Sequence, residues 1–462
     1  MKIYKTVALL LLLINCLPAN IMAQQAKVAK LRAYIHRSNQ LGLFNGNILV
    51  ADNNQVIYTD AIGYADASKQ TPLTTKYRFH IGSIAKEFDA VGIMMMQERG
   101  KLSLDDKVSK FYPELPSWAQ QISVKNLLQY TSGLPDVKWK TVHSDADNWK
   151  DLQALQKLNT EPGTVYAYNN NNVFLRRRII EKITGISFSE FVQQEILKSV
   201  GINDAIIDPT NNDPLIAKSF NDDFKQDDLT VPISGWTCFN LDDFYKWAQC
   251  ITRFCNINPA STLAIMTPVG PGKQCGLGGG SMKDGKVITH VHDGSALNYQ
   301  ALLATDATKG RNVIVLTSQK QGNVYELNSA IQAILDGKPY PQPRKSILKD
   351  YQEQLDSLSG VQALSFYNTL KAKSPRDYGF DSEFTLNEIG YFFLGQNQVA
   401  DAITVFEYNT KLFPVSGNVY DSLGEAYLKQ GDKKNALLNY KKSVQYDPAN
   451  QSAKSIIAGL EQ

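Results

Sequence analysis

Ser83 and Lys86 stand three residues apart, directly after Gly82 and ahead of a long apolar segment. Residues at i and i+3 share one face of a helix, so the hydroxyl and the amine would meet there. If Ser83 opens that helix, its hydroxyl also lies in the positive field of the unsatisfied first-turn amides. An apolar setting favours the neutral form of a lysine, which can then take a proton from the serine. That is one route to a nucleophilic serine without a Ser-His-Asp triad. Ser346 and Lys349 repeat the spacing, but they follow a Pro-rich stretch and no partner motifs come after them.

Two further groups could supply the rest of such a site. Tyr168 and Asn170 flank Asn169 in a stretch rich in turn formers, ahead of a helical segment that ends near Gly185. A phenol near an amine can pass protons, and a carboxamide can orient both the amine and a substrate carbonyl. Taken alone, the pair also reads as a polar loop. Residues 287–295, Val-Ile-Thr-His-Val-His-Asp-Gly-Ser, alternate like a strand, so His290 and His292 would share a face. The run then reaches Gly294, where a backbone can approach a ligand closely. Taken alone it reads as a half-buried strand with two solvated histidines.

The elements that would hold these groups can be read nearby. Asn47 to Val50 and Val56 to Tyr58 are short apolar runs separated by Asp52-Asn53-Asn54, which predicts a β-hairpin. Ile84, Phe88, Val91 and Met95 recur at helical steps until Gly100, which predicts an amphipathic helix.

Ser-x-x-Lys, then Tyr-x-Asn, then a Lys-Thr-Gly-like strand resemble, in that order, the serine β-lactamase and penicillin-binding protein superfamily. The central Tyr-x-Asn is similar to the branch of class C β-lactamases, D-Ala-D-Ala carboxypeptidases and related esterases. The run from Arg78 to Lys86, the phrase from Lys101 to Val108 and the phrase from Leu127 to Pro135 match it as well. The resemblance spans about residues 30 to 340. It implies an α+β fold, an antiparallel sheet flanked by helices, with Ser83 in a cleft between a sheet part and a helical part. By the same resemblance Ser83 is the nucleophile of an acyl-enzyme. Lys86 and Tyr168 form the proton-transfer pair, with the choice of base left open. Asn170 positions Lys86 and the acyl amide, and His292 takes the place of the third-motif lysine. Gly294 belongs to the same motif, and the amides of Ser83 and Ser295 form the oxyanion hole. No metal or organic cofactor is implied.

The chain departs from the family at several positions. Asp293 stands where a hydroxyl residue is usual, and its charge would repel the carboxylate of penicillins and D-Ala-D-Ala termini. Tyr130 replaces a common His, and Ala85 a common Thr. A zinc site at His290-Val291-His292-Asp293 is set aside, because the five histidines lie at 36, 80, 143, 290 and 292 and no further acid–His pair follows.

Composition is that of an ordinary globular protein of 462 residues, 43% hydrophobic and 20% charged. Lys2 and Lys5 precede the apolar run from Val7 to Ile14, and Ile21-Met22-Ala23 resembles a cleavage site, so residues 1–23 read as a signal peptide. Export to a periplasm or secretion follows. A lipoprotein through Cys16 is the alternative, weakened by Asn15, where a small residue is expected. The formal charge of +3 falls to +1 without Lys2 and Lys5, which suggests neither nucleic acid nor a polybasic membrane contact. No later apolar stretch would span a bilayer. The triplet Arg176-Arg177-Arg178 reads as a solvated helix face. Cys238, Cys250, Cys255 and Cys275 fit either disulfides, with three pairings, or free thiols.

The catalytic region, 24–337, is followed by a Pro-rich linker and helical segment at 338–384. At 385–462 a repeat appears with an offset of 34 residues: Gly390 with Gly424, Leu394 with Leu428, Ala402 with Ala436, Phe406 with Tyr440, Pro414 with Pro448. Period and pattern resemble two tetratricopeptide repeats, an all-α domain. They offer either a groove for a protein or peptide partner or a surface for packing within the chain. The expected function is an exported serine hydrolase that cleaves an ester, amide or peptide bond through a Ser83 acyl-enzyme. The alternatives are a true class C-like β-lactamase or D-Ala-D-Ala carboxypeptidase, and a non-catalytic envelope protein that binds through its repeats.

Overall fold

Asn53 and Asn54 have φ of 53° and 62°, the paired left-handed backbone that a two-residue hairpin turn of type I′ requires. They join β1 (Gly46–Asp52) to β2 (Gln55–Ile62) in antiparallel register, Asp52 opposite Gln55 and Gly46 opposite Ile62. The structure is a computed structural model that describes residues 22–221, 223–320 and 323–461. The expected signal peptide lies outside the described residues except for Met22 and Ala23, and Cys16 lies outside them too. The chain divides into two compact units between Pro341 and Gln342.

In the first unit, β6 (Gly279–Lys283), β7 (Lys286–Ala296), β8 (Tyr299–Asp306) and β9 (Arg311–Thr317) complete a sheet ordered β2-β1-β9-β8-β7-β6. Every pairing in it is antiparallel. A second, small sheet runs β3 (Phe79–His80), β5 (Thr237–Phe239), β4 (Ile206–Ile207). The central strands β1 and β9 are buried at every residue. Helices α1 (22–40) and α5 (Val324–Leu335) cover one face through Leu31, Ile35 and Ile331 against Ile48, Val313 and Val315. The other face meets a larger core holding α2 (Lys86–Glu98), α3 (Asn170–Thr184) and α4 (Leu241–Arg253).

Helix α2 departs from the amphipathic pattern. From Lys86 to Met96 every residue is buried, so it runs through the centre of the unit. Its charges must therefore find partners inside. The arginine triplet supplies one of them, against the expectation of a solvated face: Arg176 and Arg177 are 0% exposed. Arg176 Nε lies 2.6 Å from Asp89 Oδ1, and Arg177 Nε lies 3.4 Å from Asp89 Oδ2. Arg176 also donates to the Leu127 carbonyl at 3.0 Å and to the Tyr130 hydroxyl at 3.3 Å, tying α2 and α3 to the Leu127–Pro135 phrase.

The second unit is a run of helices: α6 (Ile347–Asp356), α7 (Gly360–Lys373), α8 (Glu383–Gly395), α9 (Val399–Leu412), α10 (Gly417–Gln430), α11 (Lys433–Tyr446) and α12 (Gln451–Leu460). The 34-residue offset has a packing cause. A Cβ on Gly390 would come 2.4 Å from the Phe406 ring, and one on Gly424 would come 3.2 Å from Tyr440, so each small residue admits the ring of its partner helix. Ile347, Leu355, Ala363 and Tyr367 share one core with Leu386, Phe393 and Phe406. No helix among the described residues is long and apolar enough to cross a membrane.

Candidate active site

Ser83 lies in a 3-10 turn, Gly82–Ala85, that leads directly into α2 at Lys86. It thus sits one turn ahead of the α-helix it was expected to open. Lys86 Nζ donates to Ser83 Oγ at 2.9 Å. The amine is buried, 4.9 Å from the Trp236 ring centre and 5.1 Å from that of Tyr168. Desolvation, with repulsion from Arg177, pulls its pKa from 10.5 down to about 7, against the attraction of Asp89. Desolvation pushes the Tyr168 phenol the other way, above the ordinary tyrosine range, against a smaller lowering by the Ser83 side chain. Of the two groups expected to pass protons, the amine is the one free to accept a proton near neutral pH.

The turn is held by contacts that require glycine. Gly82 has φ +56°, and a Cβ there would come 2.3 Å from the Ser295 nitrogen. A Cβ on Gly294 would come 2.0 Å from the Ile81 oxygen and 2.7 Å from the Ser83 nitrogen. The amides of Ser83 and Ser295 are thereby brought side by side. His80 Nδ1 accepts the Gly82 N–H at 2.9 Å, and burial, followed by the Lys86 charge, lowers its pKa to about 4.

Strand β7 sorts the third motif by face. His290, His292 and Gly294 are buried on the α2 side, whereas Val291 joins the core under α1 and α5. Asp293 falls on that second side, where its Oδ1 accepts the hydroxyl of Tyr325 on α5 at 2.7 Å. The alternation of the strand hands the side chain to another helix. Asn170 is the first residue of α3, capped by Asn169. Its backbone N–H and Nδ2 both donate to Asp136 Oδ1, at 2.7 and 3.3 Å, and its Oδ1 is buried without a hydrogen bond. No hydrogen bond joins it to Lys86 among the described residues, so the positioning contact expected of it is not formed here.

Glu87 was missed by the sequence reasoning. It follows Lys86, is fully buried, and its Oε1 lies 2.8 Å from His292 Nδ1 and 2.9 Å from His290 Nε2. The acid sought beside the histidines lies 203 residues before His290, where no local pattern marks it. Donor atoms of the three residues lie within 4.8 Å of one another, a grouping that could hold a metal ion. The surroundings are those of hydrogen bonds. His290 Nε2 faces the Leu277 carbonyl at 3.1 Å, and Glu87 Oε2 accepts the Trp247 indole N–H at 2.6 Å. Ser346 and Lys349 lie in the other unit, where Ser346 caps α6 and donates to Glu388. Cys238, Cys250, Cys255 and Cys275 are all free thiols.

The profile of the β-lactamase family matches residues 31–336, and that of a tetratricopeptide repeat matches 417–450. A penicillin-binding protein of Bacillus subtilis (strain 168) is 26% identical over 341 residues, 65% of this chain and 74% of that protein. A teichoic acid D-alanine hydrolase of Staphylococcus aureus (strain MRSA252) is 28% identical over 170 residues, 36% of this chain and 41% of that protein. The crystal structure of a penicillin-binding protein from Bacillus halodurans superposes with a TM-score of 0.57 at 22% identity, over 65% of this chain and 98% of that one. That likeness speaks to the fold alone. The family match covers the whole span that carries the serine, the buried lysine and the β7 motif, and on it the chain belongs to the β-lactamase family of serine hydrolases.

Proposed function

We propose that the chain is an exported hydrolase that cleaves an ester, amide or peptide bond through an acyl-enzyme on Ser83. Lys86 takes the hydroxyl proton as Ser83 Oγ bonds to the substrate carbonyl carbon. The oxygen of the tetrahedral intermediate, now negative, is met by the amides of Ser83 and Ser295, a contribution of several kcal/mol in such sites. The proton passes from Lys86 through the Tyr168 hydroxyl to the leaving oxygen or nitrogen as that bond breaks. Water then attacks the acyl carbon and gives its proton to the same pair, which frees the acid and restores the serine. The observation that carries this reading is the buried amine at 2.9 Å from Ser83 Oγ with its pKa lowered to about 7.

A β-lactam or D-Ala-D-Ala substrate is the second reading, and the placement of Asp293 favours keeping it. With that carboxylate held by Tyr325 on the strand face opposite His292, we read it as turned from a substrate carboxylate. D-alanyl esters join the candidates through the Staphylococcus aureus relative. The repeats would add a groove for a peptide or protein partner. The test is intact mass spectrometry after exposure to aryl esters, a penicillin, a cephalosporin, muropeptides and a D-alanyl ester. An acyl adduct in the parent that is absent in Ser83→Ala and unchanged in Ser346→Ala supports the reading. An adduct that survives Ser83→Ala defeats it.

A further inference from the structure

Glu87 is a carboxylate sealed inside the protein between two histidines and an indole. Burial alone would raise its pKa, yet the contacts with His290 and His292 hold it down at about 2. It is therefore an acceptor only, and that fixes which ring nitrogens carry hydrogen. His292 donates from Nδ1, and His290 donates from Nε2, leaving the buried His290 Nδ1 without a partner. His292 Nε2 is then the free nitrogen of the pair. It has no hydrogen bond among the described residues and is not among the sealed, unpaired atoms. His292 shares its strand face with Gly294, which abuts the Ser83 amide.

We propose that Glu87 is the positioning residue of the β7 motif, holding His292 in one tautomer, Nδ1–H on Glu87 and Nε2 toward the acyl site. The logic is that of a carboxylate that orients a catalytic imidazole, transferred to a residue on the helix that also bears Lys86. Because Glu87 and Lys86 are neighbours, the contact also fixes strand β7 relative to the Ser83 turn. The role in turnover rests on the Ser83 acyl-enzyme reading, whereas the tautomer does not.

The experiment uses the full chain and Glu87→Gln, which keeps the shape but puts a donor where only acceptors fit. Long-range proton–nitrogen spectra, assigned with His292→Gln, report the hydrogen on each His292 nitrogen. The proposal expects Nδ1–H in the parent and its loss in Glu87→Gln. It also expects kcat/KM for an aryl ester to fall by at least about tenfold, with the thermal transition still cooperative. An unchanged His292 spectrum in Glu87→Gln overturns it. If that variant does not fold, the parent decides: a bare Nδ1 overturns the proposal. Stoichiometric zinc in the purified parent, lost in Glu87→Gln, would overturn it in favour of a metal ligand. Failure of a fluorophosphonate to label Ser83 would instead count against the acyl-enzyme reading and leave the tautomer result standing.

Discussion

Lys86 should act on rate and stability in opposite senses. Its pKa of about 7, against 10.5 for a free side chain, leaves about three-quarters of the amine neutral at pH 7.5. An ordinary lysine would be neutral about one part in a thousand, so burial enriches the base by roughly 700-fold. Acylation, followed as the pre-steady-state release of p-nitrophenol from an aryl ester, should climb about tenfold per pH unit below 7 and level off above it.

The stability sign follows from the same pair of values. Between about 7 and 10.5 the unfolded chain holds a proton on Lys86 that the folded chain has lost. The unfolded state binds more protons there, so this site's contribution to stability rises with pH across that window and is least below it. At roughly 1.4 kcal/mol per pH unit, the buried amine costs about 4 kcal/mol at pH 7. Lys86→Met keeps the stem and removes the amine, and it forfeits about 1 kcal/mol of hydrogen bond to Ser83. We expect it to lose acylation while its Tm at pH 7 rises by roughly 5 °C, with the gain shrinking as pH approaches 10. A rate still climbing at pH 9, as an unperturbed amine demands, would refute the reasoning. So would a Lys86→Met chain less stable than the parent at pH 7.

Tyr168→Phe should slow acylation by roughly a hundred- to ten-thousand-fold, and combining it with Lys86→Ala should add little, because both serve one relay; near-normal single-turnover rates would exclude the relay. Arg176→Met strands Asp89 in the core and should cost about 3–5 kcal/mol in urea unfolding, most of it recovered when Asp89→Leu is added. A loss under 1 kcal/mol would show that Asp89 does not depend on Arg176. Asp293→Thr should change the ratio of kcat/KM for a penicillin over a neutral ester by less than about threefold, since the carboxylate faces Tyr325. A gain of tenfold or more for the penicillin would return Asp293 to the substrate.

What could be read from the sequence is what local spacing determines. Ser83 and Lys86 meet because three residues make one turn, and Asn53-Asn54 closes the hairpin because both tolerate positive φ. The repeat was legible because Gly390 and Phe406 form a packing pair that Gly424 and Tyr440 reproduce. What could not be read depends on partners far along the chain. Arg176 looks solvated beside two more arginines, and its counter-ion is Asp89, 87 residues earlier. Nothing local marks Glu87 for burial, and its partner His290 lies 203 residues later. Asp293 was placed by resemblance, and strand alternation, visible in the same residues, put it on the other face.

The order of charges on α2 is itself informative. Lys86, Glu87 and Asp89 lie within one turn, and a lysine followed so closely by two acids would ordinarily have its pKa raised by both. The fold prevents this by giving each acid its own counter-partner. Glu87 is met by His290 and His292, and Asp89 by Arg176 and Arg177. Arg177 then acts on Lys86 more strongly than Asp89 does, so the balance adds to desolvation instead of opposing it. The partners of the two acids, Arg177 above all, are thus what keep the amine able to accept a proton. They also bind α2 to α3 and to β7, the two elements that bring in Asn170 and His292. A single buried helix therefore sets the basicity of Lys86 and the geometry of the motifs around it through the same set of contacts.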